Sequence, residues 1–143
     1  MKALTILQPY ASLIASGEKW VENRSWFTNY RGPLAIHAGK RTQYLGRAEI
    51  TNYPTGCVIA NAKLVACVHI NEILRNDASS EVRKRRIPGT SRLWSEAFRH
   101  KHTEGPWCWI LEDVKPLSTN DIVYINGKQG LWDWSPKEST DAT

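Results

Sequence analysis

Apolar residues in this chain come in short bursts, mostly with a period of two and separated by turn formers. Residues 3–7 (Ala-Leu-Thr-Ile-Leu) predict a short buried strand. Gln8-Pro9 then opens a helix, because a proline at the first helical position gives up an N–H that would be unpaired there anyway. Tyr10, Leu13 and Ile14 supply its apolar stripe, and Gly17 suits the left-handed position that ends it. Trp20 to Trp26 alternates as a strand, Tyr30-Arg31-Gly32-Pro33 is a turn, and Leu34 to Ala38 is a second strand. Residues 41–52 are expected to be helical. After the Thr55-Gly56 turn, Cys57 to Ile70 forms a long β-type stretch with a bend or bulge expected at Asn61-Ala62-Lys63.

Residues 77–104 are polar and basic, helical or looped, and broken in two by Pro88-Gly89. Trp107 to Val114 is a strand with Trp107, Trp109 and Leu111 on one face and Cys108 and Ile110 on the other. Ile122 to Ile125 is a strand followed by Asn126-Gly127, a strong tight-turn signal. Leu131 to Trp134 is the last strand, and residues 135–143 have no apolar pattern and read as a loose tail. About six short strands, few helices and no βαβ rhythm predict a mainly β (α+β) domain over 1–134, a partly open β-barrel with peripheral helices.

Composition adds limits. A chain of 143 residues, 41% hydrophobic and 23% charged, is one domain's worth and can bury its own core. No stretch approaches the roughly 20 apolar residues of a membrane span. The N-terminal run lacks the features of a signal peptide, which predicts a cytoplasmic protein. Cys57, Cys67 and Cys108 lie in apolar surroundings and read as buried free thiols. The net charge of +5 is local: residues 81–102 hold seven of the 19 Lys/Arg and two of the 14 acids, leaving twelve of each elsewhere. A concentrated positive field attracts polyanions, and Arg83, Lys84, Arg85, Arg86 and Arg92 are the candidates for contacts to a nucleic-acid backbone. A solvated helix face, or a surface for an acidic protein partner, is the alternative.

The chemistry gathers in three segments: Gln8-Pro9-Tyr10 with Gly17 to Trp26, Tyr30 to Ala38, and Trp107 to Glu112 with Gly127 to Trp132. On a strand Glu22 and Arg24 share a face with Trp20 and Trp26. Arg offers a planar fork of donors to a phosphate or base, Glu accepts from an exocyclic amine, and an aromatic ring stacks a base. Lys19 adds a point charge or a general acid/base, but alternation would turn it to the opposite face unless the chain bends between Gly17 and Trp20. The plain alternative is a Lys–Glu–Arg ladder on the surface. His37 is either a hydrogen-bonded core histidine or a cleft residue, and Lys128 and Gln129 either exposed turn residues or a ligand rim.

The spacing Gly17-x-Lys19-x-x-Glu22-x-Arg24, with the Gln-Pro start, the Arg-Gly-Pro-Leu strand and the Gly-Leu-Trp ending, resembles the ASCH-domain family over roughly residues 3–134. The resemblance implies a PUA-like β-barrel related to PUA, EVE and YTH modules, which bind RNA or modified bases. It marks Lys19, Glu22, Arg24, Trp26, His37, Lys128 and Gln129 as ligand-binding candidates. The expected function is a nucleic-acid or modified-nucleotide binding module, directed to RNA or single-stranded nucleic acid.

The same resemblance carries an enzymatic alternative, since some ASCH proteins hydrolyse N4-acetylcytidine and others are ribonucleases. Lys19 and Glu22 would then be the catalytic pair. The hydrolases have Lys and Thr three residues apart, however, and here Glu22 stands three after Lys19. Glu72 is a candidate for their downstream Glu. No metal or cofactor is expected: Cys67-x-His69 is not a zinc spacing, and the zinc-deaminase, Walker, dinucleotide and nucleophile-elbow signatures are absent.

If all five basic side chains track a single-stranded backbone, the log–log salt dependence of binding should have a slope on the order of −3. Titrations of an RNA oligomer at several salt concentrations measure it, and a flat response would remove that role.

Overall fold

The computed structural model describes residues 1–136, so most of the expected tail, 137–143, lies outside the described residues. In chain order the elements are β1 (Lys2–Ile6), α1 (Tyr10–Ala15), β2 (Val21–Arg24), β3 (Gly32–Ala38), β4 (Cys57–His69), α2 (Ile70–Asp77), α3 (Trp94–Arg99), β5 (Trp107–Pro116), β6 (Val123–Tyr124) and β7 (Leu131–Asp133). Single 3-10 turns lie at Ile50–Asn52, Val82–Lys84 and Thr119–Asp121. The strands hydrogen-bond in the order β2-β5-β4-β3-β1-β7, and β6 pairs with β4. The chain forms two compact units. The first holds residues 1–18, 33–62 and 113 onward, and the second residues 19–32 and 63–112. β4 runs unbroken through the expected bend at Asn61-Ala62-Lys63, and the division between units falls there, after Ala62.

In the first unit β1 pairs parallel with β3, from Lys2 opposite Leu34 to Ile6 opposite Ala38, and antiparallel with β7. Leu34 to Ala38 is buried at every position, as expected of a strand covered on both faces. Ala3, Ala35, Val58, Trp132 and Trp134 form one core cluster, joined by Leu117, Val123 and Ile125. Pro9 sits at the cap of α1 rather than in its first turn. Gln8 does the capping: its buried side-chain oxygen accepts the Ser12 N–H at 2.9 Å, while its amide donates to Ser12 Oγ and to Pro54 O, both at 2.8 Å. Gly17 ends α1 at φ +86°, as the sequence indicated. The helix expected over 41–52 does not form beyond the 3-10 turn. Tyr44, Arg47 and Ile50 are exposed, so a helix there would have no apolar face to bury.

In the second unit β2 pairs antiparallel with β5 in the register Val21–Ile110, Glu22–Trp109, Asn23–Cys108 and Arg24–Trp107. One face of this pair carries Val21, Cys108 and Ile110 into a core with Trp20, Ala66, Ile73, Ile87, Trp94 and Ala97. The other face carries Glu22, Arg24, Trp107 and Trp109, the alternation read in Trp107 to Leu111. The strand is shorter than the expected Trp20–Trp26, and its outer residues are released to irregular backbone.

Asn126-Gly127 does not make a tight turn. The segment joins β6 to β7, which pair with different strands, and Gly127 is not among the glycines with left-handed φ. It is required instead by proximity: a Cβ there would lie 2.5 Å from Thr5 Oγ1 and 2.7 Å from His37 Cε1. Gly127→Ala should therefore cost about 1–3 kcal/mol in a denaturant titration, the range for overpacking. Gly46→Ala meets only the movable end of the Glu49 side chain and should stay within about 0.5 kcal/mol of the parent.

Candidate functional site

Lys19 precedes β2, and the irregular backbone there brings it round to the Glu22 face. Its Nζ lies 3.1 Å from Glu22 Oε1 and also donates to Val21 O. The other carboxylate oxygen, Oε2, lies 2.9 Å from Arg24 Nη2. Lys19 and Glu22 are 3% and 7% exposed, while the Arg24 side chain keeps 24% of its surface. The three residues are therefore not a surface ladder. A buried carboxylate is shared by two cations, and only the outer cation reaches solvent.

Aromatic residues of β5 share this strand face. Trp107, half-buried, stands across the ladder from Arg24. Phe27 lies 5.1 Å from its ring centroid and His69 5.0 Å, the latter edge-on. The half-buried Trp26 meets the fully buried Trp109 edge-on at 4.8 Å, and its carbonyl accepts Trp109 Nε1–H at 3.4 Å. Trp26 thus belongs to the packing around the strand pair, while Phe27 and Trp107 present the more open rings.

Trp20, in the core of this unit, has His100 4.4 Å from its ring and the Arg92 guanidinium carbon at 4.2 Å. The Trp20 N–H donates to His100 Nε2 at 3.3 Å, which requires that nitrogen to be unprotonated. Burial, reinforced by His102, Lys19 and Arg92, lowers the His100 pKa to about 4. Arg92 is also paired to Glu96 at 3.2 Å, so its charge serves the core edge.

The rest of the basic segment is a hairpin-like loop. Arg86 bridges Leu93, Ile87 N–H donates to Arg92 O and Trp94 N–H to Arg85 O. Its tip is a turn closed by Thr90 N–H to Ile87 O, with Pro88 second and Gly89 third at φ +83°, the residues a type II turn selects. Ile87 plugs into the core, and Glu112 Oε2 accepts both N–H and Oγ–H of Ser91, at 2.7 and 2.9 Å. Lys84, Arg85 and Arg86 are left exposed, while Arg83 and Arg92 are half-buried. With three open charges rather than five, the expected salt slope drops to about −2.

The first unit holds the remaining candidates. His37 is 1% exposed, with Nε2–H donating to Ile125 O at 2.7 Å and Nδ1 at 3.1 Å from Thr5 Oγ1. Burial lowers its pKa, against the Ile125 hydrogen bond and with help from Lys40. Trp132 packs edge-on to its ring and donates to Thr5 Oγ1 at 3.3 Å. Lys128 and Gln129 are exposed in the loop that follows. All three cysteines are free and buried, as expected, and burial raises Cys108 to about 11.

The family model for the ASCH domain matches residues 4–119, a span that includes the Lys19–Glu22–Arg24 group and both strands around it. The chain belongs to the ASCH domain family. Activating signal cointegrator 1 from mouse and from human is similar at 37% and 33% identity, over 46% of this chain but 14% of the relatives' length. Among solved structures, ASCH from Zymomonas mobilis and a mutant of it match with TM-scores of 0.54 and 0.53, at 18% and 19% identity. Each covers 98% of this chain, which spans 90% and 91% of theirs. The mainly β, PUA-like fold with a few helices is thereby established; among the described residues six strands form the main path of the sheet, with the two-residue β6 off it. Among the described residues no helix is long and apolar enough to cross a membrane, and no group of three or more His, Cys, Asp or Glu converges as a metal site would.

Sequence reasoning passed over Trp107 as the cross-strand partner of Arg24, Phe27 and His69 as neighbours of the Trp107 ring, and Glu96 and Glu112 as anchors of the basic loop. The alternation of Trp107 and Trp109 was a signal for the first, but the register that pairs Trp107 with Arg24 was not. One pH dependence follows. In the unfolded ASCH domain His100 takes up its proton near 6.5, and in the folded domain only near 4. The unfolded state therefore binds more protons in this window, and stability falls as pH drops from about 6.5 toward 4. Denaturant midpoints at pH 7 and pH 5 should show the loss. His100→Gln, which keeps an acceptor for the Trp20 N–H, should reduce it, leaving the smaller contribution of His37.

Proposed function

We propose that this ASCH domain binds single-stranded RNA or a modified nucleotide, and that Arg24 is the recognition fork. The observation that carries this is the chain Lys19–Glu22–Arg24, in which a buried carboxylate holds one partly exposed guanidinium on the strand face that also carries Trp107, whose ring packs against Phe27. A fork held in place loses less side-chain entropy on binding than a free one. An aromatic ring on the same face offers stacking that tolerates any base. Lys84, Arg85 and Arg86 add a sequence-independent pull on phosphates. The free thiols agree with a reducing compartment such as the cytosol.

The burial of Lys19 and Glu22 weighs against a hydrolase that uses them as acid and base, since a catalytic group must come within hydrogen-bond reach of its substrate. Both ring nitrogens of His37 are engaged within the protein, which leaves neither for a ligand. Lys128 and Gln129 stay candidates for rim contacts.

The test uses fluorescence anisotropy with short RNA oligomers, plain and carrying modified cytidine or adenosine, with product masses checked afterwards. Arg24→Ala should weaken binding about tenfold or more, the value of one bidentate base contact at roughly 1–3 kcal/mol; it also leaves Glu22 Oε2 without its cation and should lower the thermal midpoint, so affinities are compared well below the variant's transition. Arg24→Lys should not restore it. Glu22→Gln is expected to cost about 3–5 kcal/mol of stability, because it strands the buried Lys19 charge. Unchanged affinity in Arg24→Ala would refute the assignment, and a product of altered mass would make the domain an enzyme.

A further inference from the structure

The first unit carries an open groove of about 380 Å³ lined by Lys40, Thr55, Gly56, Tyr124, Ile125 and Asn126. We propose that this groove is a second nucleotide site, taking a nucleoside phosphate with its base on the Tyr124 ring and its phosphate at Lys40. It shares no residue with the Arg24 face and goes beyond that assignment.

The groove is built from short-range necessities. β6 alternates: Val123 packs toward the core of the unit and Tyr124, opposite Cys57, stands 74% exposed. An aromatic ring this open, on a two-residue strand, is the least buried of the large hydrophobic side chains described. It has a free face for a base. Lys40 is fixed rather than splayed into solvent. Its aliphatic stem lies over Gly56, where a Cβ would come within 3.1–3.2 Å of Lys40 Cε and Cγ, and its Nζ donates to Asn126 Oδ1 at 2.6 Å. An ammonium has three donors, so two are left for phosphate oxygens. Thr55, a hydroxyl-bearing residue, also lines the groove.

The segment 124–127 that carries Tyr124 and Asn126 is held by the rest of the unit. Ile125 N–H donates to Gly56 O, Ile125 O accepts the His37 Nε2–H, and Gly127 rests against Thr5 and the His37 ring. The backbone that presents Tyr124 and Asn126 is thus tied to β3, β4 and β1 before any ligand arrives. A volume near 380 Å³ lies within the range of small-molecule sites, about 300–1,000 Å³. An exposed ring, a pinned cation, a hydroxyl and an amide match a base joined to a phosphate better than they match an apolar ligand.

The experiment titrates the 15N-labelled full chain with AMP and with an eight-nucleotide oligoadenylate, following the backbone amides of Tyr124, Ile125 and Asn126. Saturable shifts at these amides are expected. Tyr124→Ala should weaken that binding roughly 5- to 150-fold, the equivalent of one stacked base, and Tyr124→Phe should bind as the parent does. Lys40→Gln should weaken it and reduce the salt slope by about one. Both substitutions lie on the surface, so folding is not at issue. AMP binding as tightly as the oligomer would identify a free nucleotide, and a much tighter oligomer a nucleotide within a strand; either supports the site. Amides that do not move with either probe, or Tyr124→Ala binding AMP unchanged, would overturn it. Arg24→Ala in parallel separates the two sites: loss of oligomer binding with AMP shifts intact at Asn126 keeps both, and an Arg24→Ala protein that binds like the parent refutes only the first.

Discussion

Glu22 is a carboxylate at 7% exposure, and taking such a charge out of water costs several kcal/mol unless it is met on both oxygens. Lys19 meets one and Arg24 the other, and the consequences spread through the second unit. Lys19 must leave the strand pattern to reach Glu22, which is why β2 begins only at Val21. Arg24 must stay beside Glu22, which fixes where the one accessible guanidinium of the group stands relative to Trp107. Asn23, on the opposite face, braces the chain before β5 by donating to His102 O and accepting from the N–H groups of Glu104 and Gly105.

The basic segment shows charge being divided by the fold. Seven Lys and Arg within 81–102 look alike in sequence. In the folded unit Arg92 lies on Trp20 and pairs with Glu96, while Lys84, Arg85 and Arg86 stay in solvent. The loop can carry that difference because Ile87 plugs it into the core and Pro88-Gly89 turns it at the tip. Positive charge from Arg92 and Lys19 then bears on His100, which adds to burial in keeping that ring neutral.

In the first unit an equally buried polar group plays the opposite part. His37 is neutral and uses both ring nitrogens on the protein, one of them to hold Ile125 O. It organises a surface without reaching it, and Gly127 is the residue that lets the chain lie against the ring.

Much was legible in the sequence. Period-two apolar runs located the strands, Gly17 marked the end of α1, and the spacing Gly17-Lys19-Glu22-Arg24 with its flanking segments pointed to the ASCH family. These signals are local: each depends on the side-chain period or on a backbone conformation that one residue type accepts. The 41–52 helix and the Asn-Gly turn failed for the complementary reason. A polar segment folds as a helix only if a face finds something to bury against, and a glycine serves a turn or a close approach depending on what lies above it. Which cations are buried, that Trp107 stands across from Arg24, and that Tyr124 and Lys40 share a groove depend on strand register and on contacts between residues far apart in the chain. Tertiary structure alone decides these, because burial and pairing are properties of neighbours that the linear order does not contain.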